Sequence, residues 1–265
     1  NIMKSIDMAW QSIQSGINNL LKSANIEHDN TDIKICLGLA GAEYEEIKTT
    51  FLAKSYEYIP FTKPENIIIE SDAHIACIGI HKGKTGAIVI VGTGTQGYKI
   101  QNNNITKLAC WGAPVDDQGG GAWMGLNAIR LTFKALDGRI KHSILTKLIF
   151  EKFSNNFQDF LIWANKSSTG GYATLTKEII QAAKQNDSMA IDILKSAANE
   201  ITLIVNTLHN KNNKNNNPIP LSIVGGMAPF IIPYLHNDIT QNLVVRSDPN
   251  DVCLGAIILL QNKYK

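Results

Sequence analysis

Gly92-Thr93-Gly94-Thr95 is the stretch of this 265-residue chain best suited to chemistry. Two glycines let a backbone come close to an anion, and exposed amides and Thr hydroxyls can donate hydrogen bonds to phosphate oxygens. A hairpin turn that binds nothing would use the same residues. The pattern lacks the Gly-Lys-Ser/Thr of a Walker loop, and a strand pattern follows it rather than the helix of a dinucleotide fingerprint. Asp72, between Ser71 and Ala73, offers a carboxylate that either caps a helix, the simpler role, or acts as a general base. Asp116-Asp117-Gln118 stands ahead of Gly119-Gly120-Gly121. That pairing of carboxylates beside a flexible turn suits a divalent metal, sugar hydroxyls or an ordinary polar loop. Trp111-Gly112 supplies an aromatic face on which a sugar can stack, although a core tryptophan is the simpler reading. His74 and His81 form no HExxH pattern and read as core or surface side chains. Gly-x-Ser-x-Gly is absent, so no serine nucleophile is argued.

Alternating strand and helix patterns would position these groups. Ile6, Trp10, Ile13, Ile17, Leu20 and Leu21 recur at helical spacing over residues 3–23. Residues 33–39 read as a buried parallel strand followed by a helix over 43–53, and 67–69 as a strand leading into a helix over 73–80. Residues 87–91, 98–101 and 105–110 predict a three-stranded antiparallel meander, with Asn102-Asn-Asn104 as a turn. Helical patterns follow to 133, over 142–153 and 157–163, and then as one long stretch over 175–208. Residues 221–224 form a further strand before Gly225-Gly226, and 252–260 a closing helix. The order is α/β. Ala40-Gly41, Ser71-Asp72, Gly92–Thr95 and Gly225-Gly226 all fall at carboxyl ends of predicted strands, the edge where open α/β sheets bind ligands.

With 44% hydrophobic and 18% charged residues the chain can bury a sizeable core, which excludes disordered, collagen-like and coiled-coil classes. A formal net charge of +2 with scattered cations argues against a nucleic-acid surface, and the Lys/Asn-rich 210–217 reads as a solvated loop. The apolar runs are too short for a membrane helix and the first 25 residues lack a signal-peptide pattern, so a cytoplasmic protein without a membrane partner is expected. A homodimer, the commonest assembly, is the default expectation. Cys36, Cys77, Cys110 and Cys253 lie apart in apolar neighbourhoods without CxxC spacing and are expected to be buried free thiols.

Taken in order, Gly38-Leu-Ala-Gly-Ala-Glu43, Glu70-Ser-Asp-Ala-His74, Ile90-Val-Gly-Thr-Gly-Thr95, Trp111 to Gly125, Ile223-Val-Gly-Gly226 and Asp248 to Ala256 resemble the BadF/BadG/BcrA/BcrD family of actin-like sugar kinases. The resemblance is strongest to its glucosamine and N-acetylglucosamine kinases, and Asp117 to Gly125 tilts it toward the glucosamine branch. It implies a two-lobed actin-like, ribonuclease H-like fold, with residues 1–82 plus 252–265 in one lobe, 83–251 in the other, and ATP meeting an amino sugar in the cleft between them. It implies that Asp72 is the catalytic base that takes the proton of the sugar's 6-hydroxyl. It further implies that Gly92, Thr93, Gly94 and Thr95 hold the transferring phosphate, that Gln96, Trp111, Gly112 and Asp117 line the sugar pocket, and that Gly225, Gly226 and Met227 hold adenosine. Mg²⁺ would bridge the nucleotide's phosphates largely through water, without a dedicated protein cage.

Three departures from the family pattern stand out. Thr95 and Gly120 occupy positions where serine is frequent, and the Asp-Gly-Gly-Gly-Thr first phosphate loop does not precede residue 3. The first lobe would then lack its opening strands and expose a sheet edge, and Asn1 stands where a reading frame begins with Met. The resemblance therefore implies about 30 to 40 further residues upstream, without which ATP turnover would be poor. The alternatives are a non-catalytic sugar- or nucleotide-binding remnant, and an ATP-driven dehydratase activator whose iron–sulfur cluster the dispersed cysteines do not suit. A repressor/kinase-type glucokinase is disfavoured by the absence of its Cys-rich zinc motif.

Overall fold

A computed structural model describes residues 2, 5–27, 32–209, 219–244 and 251–264. The elements run α1 (Ile6–Ser23), β1 (Ile35–Gly38), α2 (Glu45–Ala53), α3 (Ser55–Tyr58), β2 (Ile67–Glu70), α4 (Asp72–Ile80), β3 (Gly86–Val91), β4 (Thr95–Gln101), β5 (Asn104–Ala109) and α5 (Gly121–Leu136). They continue through α6 (Ile144–Glu151), α7 (Phe157–Lys166), α8 (Thr169–Ala173), α9 (Thr176–Lys184), α10 (Ser188–Leu208), β6 (Leu221–Val224), α11 (Ala228–Ile231), α12 (Asn237–Thr240) and α13 (Asp251–Lys263). The chain forms two compact units, Asn1–Lys84 with Arg246–Lys265, and Thr85–Val245. The Lys/Asn-rich loop and residues 248–250 of the last motif lie outside the described residues.

In the first unit β1 and β2 pair in parallel, Ile35 opposite Ile67 and Gly38 opposite Glu70. Trp10 of α1 is fully buried, stacks on Phe51 of α2 at 4.4 Å and donates its indole N–H to the Phe51 carbonyl at 2.9 Å, which satisfies the one polar atom it brings inside. Helix α4 is apolar nearly all round and buried along most of its length. It meets α13 at a glycine pair. A Cβ on Gly79 would fall 1.8 Å from the Asp251 carbonyl oxygen, and one on Gly255 would fall 2.0 Å from that of Ile75. Only two hydrogens in facing positions allow the backbones to touch there.

The second unit carries a four-stranded sheet of order β5-β4-β3-β6, antiparallel from β3 to β5 and parallel between β3 and β6. The predicted meander is present. Its core joins β3 and β6 to α5, α6, α9 and α10 around Val89, Met124, Leu145, Ile179 and Ile201. The single helix expected over 175–208 is two. Asn186 adopts φ 61° after α9, and the Asp187 carboxylate caps α10 by accepting the Ala190 N–H at 3.0 Å. Asn tolerates the left-handed region and Asp is a strong N-cap, so local chemistry breaks the apolar periodicity. The cysteines also depart from expectation. Cys77 is buried and Cys36 half-buried, but Cys110, at φ 69° beyond β5, and Cys253, on the outer side of α13, are exposed.

Candidate active site

The loop between β3 and β4 is a tight hairpin, with Val91 opposite Thr95 and the Gly92 N–H donating to the Gly94 carbonyl at 2.9 Å. It also caps a helix. Helix α5 has no side-chain cap, and its first N–H groups bond to the hairpin instead, Gly121 to the Gly92 carbonyl at 2.8 Å and Ala122 to the Thr93 carbonyl at 2.9 Å. A trans peptide holds each C=O antiparallel to the following N–H, so the Thr93 and Gly94 amides aim away from α5. Thr93 is exposed, and a Cβ on Gly92 would meet nothing within 4 Å. Backbone N–H groups turned to the free side of a glycine-containing hairpin can receive an anion. Thr95 is 2% exposed and its Oγ1 has no hydrogen-bond partner among the described residues. A buried hydroxyl left unpaired costs roughly 1–3 kcal/mol, which a ligand oxygen would relieve.

Asp117 lies against this hairpin. Its backbone is left-handed, φ 68°, its Oδ1 accepts the Thr95 N–H at 3.4 Å, and its carboxylate also accepts from the Ala113 N–H. A Cβ on Gly94 would stand 2.7 Å from the Asp117 Cγ, and one on Gly120 would stand 2.7 Å from the Gly94 Cα, so both glycines are required by packing. A side chain at Gly120 would therefore push α5 off the hairpin. Burial pushes the Asp117 carboxyl above the usual carboxylate range and the Asp116 charge adds to this, against the two N–H donors. The neighbouring Asp116 serves a different backbone group, its Oδ2 accepting the Trp111 N–H at 3.1 Å.

The remaining expected site residues fall as follows. Gly225, at φ 101°, sits where a Cβ would be 2.4 Å from the Val91 carbonyl oxygen, and the same oxygen accepts the Met227 N–H at 3.0 Å. The second glycine turn is thereby pinned to the foot of the hairpin, with Gly225 and Gly226 exposed and the Met227 side chain in the core. Gln96 is half-buried and alternates to the sheet face opposite Thr95. Trp111 is not a core residue. It is 81% exposed, next to Gly112 at φ 93°, because the loop leaving β5 turns its ring outward. Asp72 is exposed at the first position of α4. The cap is Ser71, whose Oγ accepts the His74 N–H at 3.2 Å, while Asp72 Oδ1 accepts from Ala73 at 2.9 Å and leaves its second oxygen available. Sequence reasoning missed the capping of α5 by the hairpin. The Gly119-Gly120-Gly121 run was the signal, since a helix start without Ser, Thr, Asp or Asn must find its acceptors elsewhere.

The donor set suits a nucleotide. Two free amides, an orphaned buried hydroxyl and adjoining exposed glycines can receive phosphates, whereas no three His, Cys, Asp or Glu side chains converge among the described residues.

The BadF/BadG/BcrA/BcrD ATPase family matches residues 1–256. A glucosamine kinase of Vibrio cholerae is 28% identical over 270 residues, spanning 100% of this chain and 87% of the relative. An N-acetyl-D-glucosamine kinase of Dictyostelium discoideum is 26% identical over 98% of this chain and 86% of its own length. Among solved structures, a candidate N-acetylglucosamine kinase of Chromobacterium violaceum superposes with a TM-score of 0.85 at 24% identity, over 98% of this chain and 87% of that one. A second, from Porphyromonas gingivalis, gives 0.67 at 15%, over 96% and 86%. These likenesses place the α/β chain in the actin-like ATPase fold of sugar kinases.

Proposed function

The chain belongs to the BadF/BadG/BcrA/BcrD ATPase family, and on that premise we propose that it is an ATP-dependent kinase that phosphorylates an amino sugar, glucosamine or N-acetylglucosamine, at the 6-hydroxyl. The observation that carries the reading is the Asp117 carboxylate packed on Gly94 of the anion-cradling hairpin. A group able to accept hydrogen bonds from sugar hydroxyls stands directly beside a group able to hold the phosphate they would attack.

In this reaction the sugar oxygen attacks the γ-phosphorus, the bond to the ADP oxygen breaks, and the hydroxyl proton passes to a base. Asp72 is the proposed base, exposed and with one carboxylate oxygen uncommitted. The Thr93 and Gly94 amides and the Thr95 hydroxyl would hold the transferring group, with little motion needed because α5 fixes the hairpin from behind. Mg²⁺ on the phosphates would supply charge neutralisation. Asp117 would orient the sugar, Trp111 would offer its exposed ring to the sugar's apolar face, and Gly225-Gly226 would receive the adenosine side. The test is a coupled ADP-release assay on the full-length protein with glucosamine, N-acetylglucosamine, glucose and no sugar. Amino-sugar-dependent release is expected, and sugar-independent or absent turnover would refute the reading.

A further inference from the structure

From the end of β5 to Asp117 the backbone is left-handed at Ala109 (φ 60°), Cys110 (φ 69°), Gly112 (φ 93°) and Asp117 (φ 68°). Glycine takes that region freely, but three of these four residues carry a Cβ and are strained there. The same loop exposes two large apolar side chains, Trp111 at 81% and Val115 at 80%. Strain and uncovered apolar surface both oppose folding, so the shape persists only where local contacts over-determine it.

Those contacts are hydrogen bonds within the loop. The Gly112 carbonyl accepts the Val115 N–H at 3.1 Å and the Asp116 N–H at 3.0 Å, which folds the loop onto itself. Asp116 then reaches back across the turn, where its Oδ2 accepts the Trp111 N–H at 3.1 Å. Asp117, next in the chain, accepts from Ala113 and from Thr95 and ties the same loop to the hairpin. The two neighbouring carboxylates thus divide the loop between them, Asp117 anchoring its base and Asp116 fixing its outer limb. Because a peptide is planar, holding the Trp111 N–H fixes the plane that carries the Trp111 Cα, and only the ring's own side-chain rotations remain.

We propose that Asp116 is a positioning residue for the sugar: it touches no reacting group and acts by latching the loop, so that the Trp111 ring stands in place before the sugar arrives. The inference rests on the kinase reading above, with the ring as the sugar's apolar contact. A contact whose geometry is set in advance loses less of its binding free energy to ordering. A loop released from the latch would hold the sugar more weakly in the ground state and the transition state alike, so the effect falls on KM and not on kcat. The carboxylate is needed only as a hydrogen-bond acceptor, and an amide oxygen in the same place can serve.

The experiment measures kcat and KM for the amino sugar and for ATP in the parent, Asp116→Ala, Asp116→Asn, Trp111→Ala and the double variant Trp111→Ala/Asp116→Ala. Circular dichroism verifies folding, and Asp116→Ser takes the place of the alanine variant if that one does not fold. Asp116→Ala should raise the sugar KM about tenfold, the scale of one lost charge-assisted hydrogen bond, with kcat and the KM for ATP within about twofold of the parent. Asparagine keeps an oxygen facing the Trp111 N–H, so Asp116→Asn should hold the sugar KM within about threefold. Trp111→Ala should raise the sugar KM as well, and Asp116→Ala should add nothing further in that background, since a latch without its ring has nothing to hold. An unchanged sugar KM in Asp116→Ala, an asparagine variant as impaired as alanine, a fall in kcat instead of a rise in KM, or alanine effects that multiply would each overturn the positioning role while leaving the kinase reading in place. No amino-sugar turnover by the parent would overturn the kinase reading and the positioning role with it.

Discussion

Gly94→Ala tests whether the Asp117 carboxylate is seated on the hairpin as described. Gly94 is outside the left-handed region, so alanine brings no backbone strain and its effect is steric. Its Cβ would lie 2.7 Å from the Asp117 Cγ and 2.8 Å from both carboxylate oxygens, about 0.7 Å inside ordinary contact. Overpacking of this kind costs about 1–3 kcal/mol. The obstacle is a side chain, however, and Asp117→Ala removes it. Asp117→Ala alone costs the hydrogen bonds from Thr95 and Ala113, about 1–3 kcal/mol after relief of the buried charge. Urea unfolding of the parent, both single variants and the double variant gives the coupling, and the double should be more stable than the sum of the singles predicts by about 1–2 kcal/mol. Additivity within about 0.3 kcal/mol would show that the carboxylate does not occupy the space over Gly94, and the adjacency of sugar and phosphate groups would fall with it.

Further outcomes follow from other contacts. Thr95→Val should leave stability equal or slightly raised, because the hydroxyl has no partner among the described residues, yet lower kcat/KM for ATP at least about tenfold; a loss of stability without loss of activity would contradict a ligand role. Burial pushes the Asp187 carboxyl up, but the N–H donors of Leu145 and Ala190 and the Ser143 side chain outweigh it, and the group sits below the usual carboxylate range. A depressed folded value adds stability above the unfolded value of about 3.9 that is lost as pH falls through the folded one. Asp187→Ala should therefore cost about 1–2 kcal/mol at pH 7 in urea unfolding, and the gap to the parent should close in acid. Gly255→Ala should destabilise the first unit by about 2–3 kcal/mol by forcing α4 and α13 apart, seen as a lowered Tm, and an unchanged Tm would refute the glycine crossing.

The strands and the helices that follow glycine or Ser-Asp turns were legible in the sequence because both period and punctuation agreed, as at Ile67–Glu70 into Asp72–Ile80. The break at Asn186 was not, since apolar spacing persisted across it and only a left-handed asparagine and an Asp cap interrupted the helix. Of the candidate site, Gly92–Thr95 and Asp117 were singled out from residue type. Their mutual packing was not, because it depends on Gly94 and Gly120 facing each other across a turn. The exposure of Trp111 was not legible, because hydrophobicity argues for burial while a left-handed loop after β5 decides otherwise.

The most direct test of the central claim is the turnover of Asp72→Asn with ATP and an amino sugar, alongside nucleotide affinity by calorimetry. Asparagine keeps the shape and the hydrogen bond from Ala73 but cannot take a proton. A positioned base contributes typically about 10²- to 10⁴-fold, so kcat should fall at least about a hundredfold while the Kd for ATP stays within about twofold. A kcat within threefold of the parent would contradict the assignment of Asp72 as the base.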